Sequence, residues 1–264
     1  MFLTSEEEIL TKKYLEQGYV VQAVEDVESL DWVRHRFLEL SHQFLDKEIG
    51  EEADDWLNNI HQHISVAQLN SFRLEMIRGI NAFPEFRRKY FELARTSLET
   101  LVGNELAMQL RVNLSIQLPD DESSLLPVHA DTWSGDSPYE VVVWIPLVDC
   151  YRTKSMYILP PDANERLCRD FGNKSGVSSE ELFRTIEPDI VWLDVPYGSV
   201  LIFDQGLPHG NRINREPETR WSLNCRFKGI FTPYKDKKIG EFFEPITLRA
   251  ASHKGMSYIY PEVE

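Results

Sequence analysis

The residues of this chain best suited to chemistry are His129 and Asp131, in the segment VHADTW, and His209, eighty positions later in LPHGN. Two imidazoles and one carboxylate can occupy one face of an octahedral metal and leave the opposite positions open, an arrangement suited to Fe(II) and O2. In an extended segment side chains repeat with period two, so His129 and Asp131 point the same way and one strand supplies two ligands. The third must come from elsewhere, and His209 is the candidate. Alone, an H-x-D pattern says little, because a His beside an acid is usually a solvated or ion-paired surface group. Context adds to it. From Thr219 to Phe231 the chain alternates, with Trp221, Leu223, Cys225 and Phe227 on one face and Arg220, Ser222, Asn224 and Arg226 on the other. A strand with so polar an inner wall has something to bind.

These residues resemble the Fe(II)/2-oxoglutarate-dependent dioxygenases, and among them the phytanoyl-CoA dioxygenase-like group. Members bind iron through H-x-D…H and hold the distal carboxylate of 2-oxoglutarate with an arginine some ten residues after the second histidine, often in an R-x-S pair. His129, Asp131, His209, Arg220 and Ser222 match position by position. The likeness runs from about Gln109 to Phe231, and the opening helix-rich segment with its GYVV turn is similar in kind. SMYILPP and LIFDQGLPHGNRINREPETRWSLNCRF look like a bacterial subgroup found in gene clusters for surface carbohydrates. The resemblance implies a catalytic Fe(II) on the triad, 2-oxoglutarate on Arg220 and Ser222, O2 as second co-substrate, and release of succinate and CO2. The implied outcome is hydroxylation or oxidation of a small polar substrate, such as a sugar or sugar conjugate. One departure is the strand Lys154-Ser-Met-Tyr-Ile-Leu-Pro160, which lacks the common Asn-Gly before it and Pro-Gly-Ser-His after it. Asp131 sets the chain apart from related halogenases, which leave that position without a carboxylate. Two other readings stand beside this one: a jelly-roll isomerase or lyase using Zn or Mn, and a non-catalytic jelly-roll binding protein. Neither needs a fixed carboxylate clamp beside the metal.

Other candidates carry an ordinary reading as well. Arg220 by itself could be a surface ion pair with Glu216 or Glu218. Arg226 and Asn224 share its face and are candidate substrate contacts, as are Gln117 and Asn113, with Arg111, on the strand before the first ligand. Trp133 is read as a wall of the entrance, against plain aromatic packing. Arg111, Arg226, Arg212 and Arg215 are expected to concentrate positive potential near the mouth. His42, His61, His63 and His253 have no acid at ligand spacing and are not counted as ligands. Asp120, Asp121 and Glu122 in their Pro/Ser loop read as a solvated turn.

With 43 acidic against 28 basic residues the net charge is −15, which argues against nucleic acid and against an anionic membrane surface as partners. Cys150, Cys168 and Cys225 show no C-x-x-C spacing, so a reduced, cytoplasmic setting is expected, without secretory signal or membrane insertion. Oligomeric state is not written in the sequence.

The elements that must position these residues give an α+β chain: a double-stranded β-helix, or jelly roll, with N-terminal helices packed outside it. Residues 1–264 are read as a single domain. Residues 1–107 are mainly helical, 108–231 form the jelly-roll core with an insert at 161–188, and 232–264 extend it. Thr4 to Glu8 reads as a helix start, Gly18 to Val24 as a short strand, and Asp26 to Asp46 as a helix with a stripe of Leu30, Val33, Phe37, Leu40 and Phe44. Further helical pattern runs from Val66 to Leu106 with a break at Asn81 to Pro84. From Met108 the period changes to two: Arg111, Asn113, Ser115 and Gln117 alternate with Val112, Leu114, Ile116 and Leu118. Strands are then expected at Tyr139 to Val148, Ser155 to Leu159, Ile190 to Asp194 and Ser199 to Phe203. The polar insert at 161–188, partly helical, is expected to close over a ligand.

Overall fold

The computed structural model describes residues 2–48, 50, 52–174 and 176–262. The chain opens with α1 (Ser5–Gln17), where the Thr4 hydroxyl accepts from the Glu7 N–H and the Glu7 carboxylate accepts from the Thr4 N–H, a reciprocal cap of two otherwise free donors. After β1 (Tyr19–Ala23), Asp26 caps α2 (Val27–Leu45) through the Ser29 N–H. Leu30, Val33 and Phe37 of the expected stripe are fully buried. Then come α3 (Ala53–Asn58), α4 (Val66–Asn81), α5 (Phe86–Glu92) and α6 (Arg95–Leu101). The strand-rich part contains β2 (Leu106–Gln109), β3 (Asn113–Gln117), β4 (Glu140–Pro146) and β5 (Tyr157–Ile158). It continues through α7 (Pro161–Asp170), α8 (Ser179–Ile186), β6 (Val191–Trp192), β7 (Ser199–Asp204), β8 (His209–Gly210) and β9 (Arg220–Gly229), and closes with β10 (Phe243–Pro245) and α9 (Ala250–Met256).

Seven strands form one sheet in the order β1-β7-β4-β9-β2-β10, with β3 also on β9, and β6-β5-β8 form a second. Every named strand pair is antiparallel. β9 is the organising strand. Its odd-numbered side chains, apolar as alternation requires, meet the helices: Trp221 lies 6.0 Å from the Phe37 ring of α2 and 5.7 Å from the Phe72 ring of α4, and Phe227 meets Phe91 of α5 at 6.2 Å. The Trp221 indole N–H donates to the Leu57 carbonyl, so the buried ring keeps a polar partner. This packing commits the even-numbered residues to the opposite face.

Several boundaries differ from the sequence reading. Arg111 to Leu118 is not one continuous strand: β2 and β3 both pair with β9, but their registers are offset by two residues across a bulge at 110–112, which leaves Arg111 exposed. Leu106 belongs to β2, because the helical pattern stops at Leu101. The 155–159 and 190–194 strands shrink to two residues each. The segment holding His129 and Asp131 is a single antiparallel bridge to His209 followed by a tight 3-10 turn at Asp131–Ser134. That turn ends at Gly135, whose positive φ of 90° and contact with Asp236 leave no room for a side chain. The 161–188 insert is not a loose flap. α7 and α8 bury Ala163, Leu167, Leu182, Phe183 and Ile186 with Tyr157 and Leu159 in a small core of their own.

Candidate metal centre and anion clamp

His129 and His209 are brought together by the backbone. Each donates its N–H to the other's carbonyl, at 3.0 and 2.8 Å, so the two residues sit directly opposite one another and their rings lie 4.4 Å apart. Gly210 makes this approach possible, since a Cβ there would lie 2.7 Å from the Leu126 carbonyl oxygen and from the Tyr157 hydroxyl. Ala130, between the first two ligands, is extended at φ −117° and ψ 136°, so His129 and Asp131 project together although no strand continues past them. The ligand atoms of His129, Asp131 and His209 all lie within 4.8 Å of one another. Among the described residues no other group of three such side chains forms a cluster of this kind.

The protonation pattern suits a metal. His129 Nδ1 faces the Pro127 carbonyl at 2.8 Å and His209 Nδ1 faces the Leu207 carbonyl at 2.9 Å. Each ring therefore holds its proton on Nδ1 and presents the Nε2 lone pair to the site. Burial, reinforced by the neighbouring His129, pushes His209 down to about 4, so it is neutral at pH 7. For His129 burial works in the same direction but is outweighed by Asp131 and the Pro127 carbonyl, which hold it above the ordinary histidine value. Asp131 pays for burial too, yet His129 and Arg226 keep its carboxyl well below the usual carboxylate range. Two neutral-capable imidazoles and a fixed carboxylate on one wall fit a divalent ion.

The triad lines a cavity of about 100 Å³ together with Arg220, Ser222, Asn224 and Arg226, the complete even-numbered face expected of β9. Arg220 is buried. Its Nη1 donates to the Ser155 carbonyl at 3.1 Å and its Nη2 to the Ser115 hydroxyl at 2.8 Å, while Nε has no partner. The Ser222 and Ser155 hydroxyls beside it are buried and also unpartnered. The surface ion pair considered from sequence is absent: Glu218 holds Lys154 at 2.6 Å and Glu216 accepts from Thr153. Burial pushes Arg220 down to about 10, which leaves it a cation at pH 7. A buried cation with no acidic partner is costly, and an anion received by the guanidinium and the two hydroxyls relieves that cost.

No protein-family model and no curated protein matches the sequence. Solved structures do match. The apo form of ThoJ, described as a non-haem monooxygenase, superposes with a TM-score of 0.52 at 14% identity over 90% of this chain and 88% of its own. HygX from Streptomyces hygroscopicus, solved with nickel and 2-oxoglutarate bound, gives 0.52 at 15% identity over 87% and 88%. EctD from S. alaskensis, solved with bound Fe, gives 0.51 at 16% over 89% and 79%. The chain shares its fold with these three proteins. Within this fold the remaining sequence candidates separate.

Asn224 lines the cavity, with Asn113 behind it donating to its side-chain oxygen at 3.0 Å. Gln117 is fully buried and does not reach the cavity; it donates to the Arg212 carbonyl. Trp133 stays outside as well, 42% exposed and 5.1 Å from the Phe171 ring. Arg226 reaches the cavity but is held by acids: 2.8 Å to Asp131 and 3.3 Å to Asp136. Arg212 pairs with Glu180 at 2.6 Å and Arg215 pairs with Asp120. Three of the four arginines expected to make a positive mouth are thus paired with acids, and Arg111 is exposed at the 110–112 bulge. Asp121 accepts from the Ser123 N–H in a turn, and His61 contacts Thr219. Ser115, Ser155 and Asn211 were not singled out from sequence. Ser115 stood on the polar face and faces Ser222 across the ladder, a signal that strand pairing turns into position.

Proposed function

We propose that the chain is an Fe(II)/2-oxoglutarate-dependent oxygenase acting on a small polar substrate, as a single domain whose two sheets are the walls of a jelly roll. The observation that supports it most is Arg220, a buried cation without an acid, in the same cavity as the His129, Asp131 and His209 triad. A molecule with a chelating group at one end and a carboxylate at the other satisfies both halves at once. 2-Oxoglutarate has that form, with its 2-oxo acid directed to the metal and its far carboxylate to Arg220 and Ser222. Bound iron would supply O2 activation coupled to decarboxylation of 2-oxoglutarate to succinate. The residues supply position: the Nδ1 bonds orient both imidazoles, Ser115 and Ser155 hold the guanidinium in plane, and Val142, Met156 and Phe203 line the cavity with apolar surface that limits competing water. An isomerase or lyase has no use for a buried cation in the cavity that holds the triad.

For the substrate, a neutral hydroxyl-rich molecule such as a sugar or sugar conjugate is the reading to test, with Asn224 as its candidate contact. The paired state of Arg212, Arg215 and Arg226 disfavours an anionic one. No helix among the described residues is long and apolar enough to cross a membrane, and a cytoplasmic setting is part of the same reading.

Replacing Arg220 with Leu should weaken 2-oxoglutarate binding by at least about tenfold, since a charge-assisted bidentate contact is worth roughly 1.5 kcal/mol or more. Titration of the Fe(II)-loaded protein with 2-oxoglutarate under anaerobic conditions measures this. A wild-type protein that binds no 2-oxoglutarate and forms no succinate in air would sink the proposal.

A further inference from the structure

Arg226 lies on the cavity face of β9, three alternations beyond Arg220, yet it does not point an open charge at a ligand. Its Nη2 holds Asp131 Oδ2 at 2.8 Å, while the other oxygen of that carboxylate, Oδ1, faces His129 Nε2 at 3.5 Å. Behind it the guanidinium is fixed from two sides. Nε donates to the Gln205 side-chain oxygen at 3.0 Å and lies 3.3 Å from Asp136 Oδ1. Gln205 donates in turn to Glu140 at 2.9 Å, and its own backbone carbonyl accepts the Asp131 N–H at 3.0 Å. Asp136, 1% exposed, is gripped by Lys237 through both oxygens at 2.7 and 2.6 Å. Lys237 belongs to the segment after β9, and the next residue back, Asp236, donates its N–H to the Gly135 carbonyl at the end of the ligand turn. Two layers of side chains therefore determine where one oxygen of Asp131 goes.

We propose that Arg226 is a positioning residue that restricts Asp131 to a single metal-bound oxygen and so keeps a neighbouring coordination position open for the co-substrate. A carboxylate beside a divalent ion binds through one oxygen or through both. With Oδ2 engaged by a cation that is itself locked in place, only Oδ1 is available. Three protein ligands then use three positions. Released from Arg226, Asp131 would close over the ion with both oxygens and occupy a position that a chelating 2-oxo acid requires. Arginine suits the role because its planar fork bonds Asp131 with one edge and Gln205 and Asp136 with another, which a lysine can do only as a point charge. Part of the C-terminal segment, through Lys237, is then an element of the metal centre.

This inference rests on the 2-oxoglutarate reading, and the test separates the two. Co(II) is added to the wild type and to Arg226→Met, Arg226→Lys and Asp136→Asn, and visible ligand-field absorption is recorded before and after 2-oxoglutarate. Without 2-oxoglutarate, the Arg226→Met spectrum should differ from wild type, reflecting a changed coordination number, with Co(II) affinity equal or tighter because a nearby positive charge is gone. Its 2-oxoglutarate affinity should fall by about 10- to 100-fold, the range by which losing an outer partner of a metal ligand usually weakens a metal site or its activity, here expected in co-substrate binding. Arg226→Lys should recover part of that loss, and Asp136→Asn, which leaves Arg226 in place but loosens it, should lie between. An unchanged Co(II) spectrum in Arg226→Met, or Co(II) and 2-oxoglutarate affinities that fall together with the melting temperature, overturns the proposal. If the wild type binds Co(II) but not 2-oxoglutarate, the co-substrate reading fails, while the Co(II) spectra alone still decide the coordination of Asp131.

Discussion

His129 and His209 solve the same local problem in the same way: each turns Nδ1 to the carbonyl two residues before it, so the atom left for the metal is Nε2 in both. Asp204, five residues before His209, is a carboxyl the site does not use, and it makes a contrast. Its Oδ1 accepts from the Gly206 N–H at 2.7 Å, but burial dominates and raises its pKa above the ordinary 3.8. The folded state thus binds this proton more tightly than the unfolded chain. The stability it contributes is present below pH 3.8 and is lost as pH rises through the folded value, leaving a half-buried charge at neutral pH. Asparagine keeps the acceptor and removes the charge. Asp204→Asn should therefore raise the melting temperature at pH 7 and give no gain at pH 3, and equal shifts at both would show the charge to be irrelevant.

At the scale of elements, β9 was readable because period two leaves little choice: once Trp221, Leu223, Cys225 and Phe227 pack on the helices, Arg220, Ser222, Asn224 and Arg226 must face the cavity. The short pieces were less readable. β5, β6 and β8 have two residues each, too few to establish a period, and the bulge at 110–112 is set by pairing with β9 and not by local sequence. The partners of charged groups were also hidden, since whether Arg226 meets a substrate or Asp131 depends on contacts between segments distant in the chain. Gly210 is the element-level test. Alanine there must displace the Leu126 carbonyl or the Tyr157 hydroxyl and push β8 away from His129. Gly210→Ala should cost about 1–3 kcal/mol in chemical denaturation, the usual range for overpacking, and lower Fe(II) affinity. Undiminished metal binding would mean that the bridge tolerates more spacing than its hydrogen bonds suggest.

Across the whole molecule, the first and last strands lie at opposite ends of one sheet order, β1 on β7 and β10 on β2, with β4 and β9 between them. A chain whose two ends both complete the same sheet should unfold in one step. Far-UV circular dichroism and tryptophan fluorescence should give coincident denaturation curves, because Trp56 and Trp221 report the helix side while Trp144 lines the cavity. Separated transitions would argue for independent parts.

The bridge between His129 and His209 also sets a topology. An ion held by both side chains would tie residues 129–209 into a ring, and closing a ring of about eighty residues removes about 4.5 kcal/mol of freedom from an open chain in the loop-entropy picture. β4, β5, α7, α8, β6 and β7 lie inside that ring, and β9 lies outside it. A dicarboxylate reaching from the ion to Arg220 would then stitch the ring to the strand beyond it, so that the filled site becomes a second seam beside the β4–β9 ladder that already joins them.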